Sequence, residues 1–195
     1  MRNLDSEKAQ RIVAAMRESV GRRGAAASTF DQVAQEAGVS RGLLHYYFGS
    51  KERLLVEVVR HDSEIRMQRL EDALGRAGSV EAIVEVLVTH LEDFVERDPA
   101  GAALIYEMFS AARHNDEIRE QMAELYRRSR EHVAEALRDK QREGVVRLRG
   151  DAEAVASILF AMGDGIALQI LYDRDRDTGD MFAAGIEAAR FLLGK

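Results

Sequence analysis

Five side chains that can hold an anion or a base edge fall within eleven positions: Arg41, His45, Tyr46, Tyr47 and Lys51. An arginine offers a planar fork of donors matched to phosphate or guanine. Histidine and tyrosine can bond phosphate or base, and Gly42 lets a backbone come close to a ligand. Leu43 can touch a thymine methyl. Bases interleaved with aromatics at this density point to nucleic acid. The alternative is a surface turn whose aromatics fill a small helical core, and Tyr47 and Phe48 are candidates for that core.

The segment that carries them runs Thr29 to Leu54, TFDQVAQEAGVSRGLLHYYFGSKERL. Phe30, Val33, Ala34 and Ala37 recur at helical spacing behind Thr29, a good N-cap. Gly38 stops that helix, because glycine accepts the left-handed conformation after a C-cap. Ser40 opens a short helix ending near Phe48, and Gly49 breaks it. Two short helices joined by a glycine-containing turn are the sequence form of a helix-turn-helix, whose second helix enters the major groove. At about 100° per residue, Leu44 and Phe48 share the buried side, while Gly42 and Tyr46 lie opposite. Leu43 falls on the exposed side, with Arg41 and His45 flanking. Lys51 stands in the first turn of the next helix, where it opposes the helix dipole unless an anion lies outside.

The rest of the chain reads as helix almost throughout, with no strand signal and one proline, Pro99. Helix 1 is expected from about Asp5 to Gly21, and a long helix from Ser50 to about Leu74. Gly75 to Ser79 reads as a turn. Further helices are expected over about Val80–Arg97, Gly101–Arg113, Asn115 or Asp116 to Arg142, Ala152–Tyr172 and Met181–Leu193. The fold class is therefore all-α with nine helices. Of 195 residues, the first sixty carry a net charge of +3 and the remainder −9, so the anion-binding character is local. Cysteine is absent, which leaves no disulfide and no thiolate zinc site. No signal segment is read at the N-terminus, and no apolar run approaches the roughly 18 residues of a membrane span. The expectation is a soluble cytoplasmic protein with no membrane partner.

The Thr29–Leu54 segment closely resembles the DNA-binding signature of the tetracycline-repressor (TetR) family. The resemblance rests on the alanine and glycine before Val39-Ser40, the aromatic cluster ending in Phe48, and Ser50-Lys51-Glu52 followed by a leucine pair. It covers roughly residues 8–55; beyond them only length and helical layout match. The resemblance implies a two-fold homodimer of all-helical subunits with a helix-turn-helix domain over 1–49 and a ligand-binding and dimerisation domain over 50–195. It implies a ligand-responsive transcriptional regulator, a repressor released from a palindromic double-stranded operator by a small effector; few cations on the apolar faces favour a hydrophobic one, and no other cofactor and no metal are expected. Carried over by position, Thr29 caps helix 2 and touches phosphate. Ser40, Arg41, Gly42 and Leu43 belong to the groove-facing end of the next helix. His45, Tyr46 and Tyr47 contact backbone or bases, and Lys51 contacts phosphate. His45 departs from the usual tyrosine, and Leu43 from a small or hydroxyl residue.

Helices between Ser50 and Arg142 are expected, on that resemblance, to enclose the effector. Candidate contacts are His90 and Phe94, Tyr106 and Phe109, and Met122 and Tyr126, each pair sharing a helix face; the same spacing also fits plain core. An effector would act by favouring a state in which the Ser50–Leu74 helix has swung, changing the spacing of the two reading heads. The helix Ala152–Tyr172 is apolar nearly all round, so it must be buried on several sides. A helix at the centre of a monomer would satisfy that, but on the resemblance it forms, with the last helix, a four-helix dimer seam through Ile158, Met162, Ile166, Phe182 and Ile186. Asp164 within it is unexpected, and its role stays open.

Other chemistries find little support. Asp173, Asp175 and Asp177 alternate as in a calcium loop, but Thr178 and Ala184 stand where that loop needs glycine and glutamate. The five histidines (45, 61, 90, 114 and 132) lack metal spacing. No nucleophile–base pair or phosphate loop supports an enzyme. A helical adaptor that no longer reads DNA is the third reading, and the intact Arg41, Tyr46 and Lys51 oppose it.

Overall fold

A computed structural model describes Leu4 and residues 6–173 and 175–194. Among these residues the chain is all helical: α1 (Glu7–Ala27), α2 (Phe30–Ala37), α3 (Arg41–Tyr47), α4 (Lys51–Arg76), α5 (Val80–Glu92), α6 (Pro99–Ala112), α7 (Asp116–Arg142), α8 (Ala152–Tyr172) and α9 (Gly179–Leu193), with a π-helical segment, Asp93–Arg97, following α5. The nine expected helices are present. Asp5, the expected start of the first, lies outside the described residues; Ser6 caps α1 through its side chain, which accepts from Ala9 N–H.

The boundaries differ from expectation where distant groups decide them. Helix α1 does not stop at Gly21. It continues to Ala27 and breaks its geometry at Gly24, where φ is 78°. Ser28 then turns the chain: its hydroxyl donates to the Gly24 carbonyl at 2.9 Å and accepts from Ser19 at 2.7 Å. Gly75 is the penultimate residue of α4 and not the start of a turn. The buried Lys140 ammonium donates to its carbonyl at 2.7 Å and satisfies that helix end. The last five residues of the helix expected to reach Arg97 are π-helical. Helix α8 begins and ends where the sequence placed it, with Asp151 accepting from Glu153 and Ala154 N–H.

The chain forms two compact units. The first contains residues 1–63 and 100–125, the second residues 64–99 and 126–195. In the first, α1 packs on α2 and α2 on α3, around Ile12, Met16, Val33 and Leu44, none of which reaches solvent. Leu54, Val58, Leu104 and Ile118 are buried in the same unit. In the second, Leu74, Ile83, Ala134, Leu137, Ala156 and Leu193 sit in one apolar core. Truncating any of the leucines to alanine there costs about 2–5 kcal/mol.

Helix α8 is long and apolar enough to cross a membrane by length and composition alone, contrary to the expectation that no apolar run reaches that length. Its inward side carries Ala152, Val155, Ala156 and Ala167, all buried. Its other side leaves Ile158 half exposed and Tyr172 80% exposed.

Candidate nucleic-acid interface

The helix-turn-helix is built by local signals. Thr29 and Gln32 form a reciprocal capping box at the start of α2: Gln32 N–H donates to the Thr29 hydroxyl at 3.4 Å, and Thr29 N–H donates to the Gln32 side chain at 3.1 Å. Gly38, with φ 66°, ends α2 in the left-handed conformation. Ser40 occupies the N-cap of α3 without a capping bond from its side chain. Leu44 and Phe48 are buried as their spacing requires, and Phe30 of α2 meets the His45 ring edge-on at 4.9 Å. These contacts hold α3 against α2 and leave its far side in solvent.

That far side carries the expected residues. Thr29, Ser40, Arg41, Gly42, His45 and Tyr46 are exposed, Tyr46 by 59%. Leu43, expected on the exposed side, is half-buried, as are Tyr47 and Lys51. The nine residues therefore cluster on the start of α2, on α3 and on the start of α4, within one compact unit.

Their partners give the surface its electrostatics. Arg41 pairs with Asp31 at 3.2 Å, both side chains mostly exposed. The Lys51 ammonium donates to the Ala26 carbonyl at 3.0 Å, at the C-terminal end of α1, where a cation meets the negative end of a helix dipole. His45 Nδ1 lies 3.1 Å from the Gly49 carbonyl, and the Tyr47 hydroxyl accepts from Ser6 at 3.1 Å. At the end of α1, Arg22 and Arg23 both pair with Glu36, and the hydrogen bond from Arg23 holds that carboxyl below its ordinary range. Sequence reading missed Asp31, Arg22 and Arg23. Asp31 had a local signal, an acid in the first turn of α2; the Arg23–Glu36 contact spans a turn and had none.

The effector candidates do not fall in one unit. Tyr106, Phe109 and Met122 belong to the first, with Tyr106 and Phe109 rings 6.5 Å apart and Met122 buried. His90, Phe94 and Tyr126 belong to the second. There the Arg66 guanidinium lies 4.8 Å over the Phe94 ring. Burial, aided by the Arg66 charge and opposed by Asp93, pushes the His90 pKa down to about 4. The Tyr126 hydroxyl is 3.0 Å from an Asp164 carboxylate oxygen, and burial raises the pKa of that carboxyl while the Tyr126 bond works against the rise.

In the second unit, Met162 and Ile166 of α8 and Phe182 and Ile186 of α9 are half-buried. A Cβ on Gly185 would meet Ile166 at 3.4 Å, so that glycine lets α9 lie close to α8. Ile158, Leu168, Tyr172 and Phe191 remain exposed on these two helices. Among the described residues no group of three or more His, Cys, Asp or Glu could hold a metal ion.

Residues 12–58 match the family described as bacterial regulatory proteins, tetR family, and residues 78–189 match the BetI-type transcriptional repressor C-terminal domain. The chain belongs to the tetR family. It is a helix-turn-helix transcriptional regulator and not an enzyme. Among its relatives is the HTH-type transcriptional regulator BetI of Rhizobium meliloti (strain 1021), 28% identical over 170 residues, which are 85% of this chain and 79% of that protein. A solved TetR-family regulator from Mesorhizobium loti MAFF303099 shares the fold with a TM-score of 0.78 at 19% identity, covering 97% of this chain and all of that one. A regulator from Saccharomonospora viridis, solved in complex with choline, has a TM-score of 0.69 at 23% identity, covering 94% of each chain. The tetR-family match spans the whole helix-turn-helix, and the BetI-type match spans α5 to most of α9.

Proposed function

We infer that this tetR-family regulator is a repressor that binds a palindromic operator as a two-fold homodimer and leaves it when a small effector binds. The observation that carries the DNA half is the exposed side of α3, with Arg41, His45 and Tyr46 in solvent while Leu44 and Phe48 anchor the helix below. Arg41 and Tyr46 reach base edges or phosphate, Gly42 permits close approach, and Thr29 and Lys51 meet the flanking phosphates. Residues 1–49 form the reading domain, and residues 50–195 bind effector and pair subunits.

The apolar outward side of α8 and α9 supports pairing. Ile158, Leu168, Tyr172 and Phe191 would otherwise face water, and a second copy buries them in a four-helix seam. The BetI-type match and the fold shared with a choline-bound regulator support small-molecule sensing, and aromatic residues within each unit suit an effector with apolar surface. The effector acts by binding one of two states better, so that the paired heads lose the spacing of successive major grooves. A DNA-reading repressor works in the cytoplasm.

The test is selection of bound fragments from genomic DNA, followed by anisotropy titration of the best site at two salt concentrations. The expected result is a palindrome whose affinity falls by about 0.9 decades per decade of salt for each phosphate neutralised. Arg41→Ala with Tyr46→Ala should abolish site preference while the melting temperature holds. Absence of any enriched site at low salt sinks the reading.

A further inference from the structure

Two side chains of opposite sign meet on the surface expected to face DNA. Arg41, the first residue of α3, places its guanidinium 3.2 Å from the Asp31 carboxylate oxygen Oδ2, in the first turn of α2. Both backbone positions are fixed. Asp31 lies inside the capping box formed by Thr29 and Gln32, and its neighbour Phe30 packs on the His45 ring of α3. Both side chains are mostly exposed, so water screens the pair and it adds little to folding. The acid also works against the grip on phosphate. With histidine neutral, the segment Thr29–Lys51 sets two acids, Asp31 and Glu36, against two bases, Arg41 and Lys51, and has no net charge. Glu36 pairs with Arg22 and Arg23 of α1, whereas Asp31 pairs with a proposed base contact.

We propose that Arg41 and Asp31 together read one G·C pair in each operator half-site, Arg41 donating to guanine and Asp31 accepting from the amino group of the paired cytosine. In the major groove that pair shows two acceptors and then a donor: guanine N7, guanine O6 and cytosine N4–H. A guanidinium beside a carboxylate presents the complement, two donors and then an acceptor. Guanine O6 and cytosine N4 are joined by a base-pairing hydrogen bond, so they lie about 2.9 Å apart. The tips of Arg41 and Asp31 stand 3.2 Å apart, a matching separation. The bond to Arg41 uses Oδ2, and Oδ1 accepts from cytosine. An A·T pair shows acceptor, donor, acceptor, which sets an Arg41 donor against adenine N6–H and the carboxylate against thymine O4. Phosphate offers Asp31 only repulsion. The carboxylate therefore lowers affinity for DNA at large and sharpens the choice of base, which makes Asp31 a specificity-determining residue. This assignment rests on the reading of α3 as the groove helix, and it adds which base pair that helix selects.

The test uses the full-length protein, as wild type and as Asp31→Ala, to select duplexes from a random-sequence pool. The wild type is expected to enrich a site with a G·C pair in each half, favoured about tenfold or more over other pairs at that position. Asp31→Ala should flatten that one position to within about threefold, keep the preferences elsewhere, and bind unrelated duplex more tightly. The atomic probe is N4-methylcytosine at the assigned cytosine, which keeps the base pair and replaces the groove-facing N–H with a methyl group. It should weaken the wild type about tenfold and leave Asp31→Ala nearly unchanged. A merely structural role for Asp31, as the acid in the first turn of α2, would shift the melting temperature and affect every position alike. A selected site with no G·C preference that Asp31→Ala removes, a uniform loss at all positions, or equal weakening of both proteins by N4-methylcytosine overturns the proposal alone. Failure to enrich any site overturns it together with the repressor reading.

Discussion

At the residue scale, Asp31 is placed to weaken the hold of the proposed reading head on DNA. Its carboxylate is exposed and paired with Arg41, one of the proposed DNA contacts. Asp31→Asn should raise affinity for unrelated DNA several-fold at low salt, and the gain should vanish at high salt because the pair is exposed and screened. Unchanged affinity in an anisotropy titration would remove Asp31 from the argument. His90 gives a pH effect with a definite sign. Its folded pKa of about 4 lies below the ordinary 6.5, so the unfolded chain takes up the proton first. Its contribution is intact above pH 6.5 and is lost as pH falls toward 4, by up to about 3 kcal/mol. Asp164 works the opposite way, because protonation relieves a carboxyl whose pKa burial has raised. Melts of wild type and His90→Gln between pH 7 and 5 should show a shallower decline in the variant.

At the element scale, glycines with the same positive φ differ in what surrounds them. Gly144 and Gly194 have φ of 77° and 93°. A Cβ on Gly144 meets nothing, so Gly144→Ala should cost about 1–2 kcal/mol from backbone strain alone. A Cβ on Gly194 would sit 2.0 Å from the Arg147 carbonyl oxygen. That segment is held close because Arg147 and Arg149 N–H donate to Leu193 and Leu192 carbonyls at 3.0 Å. Gly194→Ala must break this pairing and should lose clearly more stability than Gly144→Ala in chemical denaturation. Equal losses would show that the α9 end relaxes freely. The same contrast explains which boundaries were legible. Thr29, Gly38 and Asp151 act within four residues of themselves, so α2 and α8 were read correctly. Gly21 and Gly24 look alike in sequence; Ser19 reaching Ser28 across nine residues makes the second the break. Lys51 reaches Ala26 across 25 residues, and no local pattern encodes that.

At the scale of the whole molecule, the site legible in sequence was the one made by a contiguous stretch. Every DNA candidate lies between Thr29 and Lys51, and folding only had to present them. The effector candidates come from α5, the π-helical segment, α6 and α7. Spacing within a helix identifies a shared face but not which helices that face meets, so the contact between Asp164 and Tyr126 was not legible in the sequence. The apolar outward side of α8 and α9 leads to a further expectation. Ile158→Glu with Leu168→Glu should give monomers by sedimentation and abolish operator binding, although α3 is untouched. Retained operator binding by a monomeric variant would refute the paired-reader scheme.

If that exposed side of α8 seats a second copy, as proposed, it also ties regulation to dosage. A subunit that reads DNA only in company has no fixed potency. Where subunits are scarce, paired readers scale as the square of supply, so halving synthesis removes about three-quarters of them. A cell carrying this regulator at low abundance would switch its target genes over a narrow range of expression, with no effector present at all.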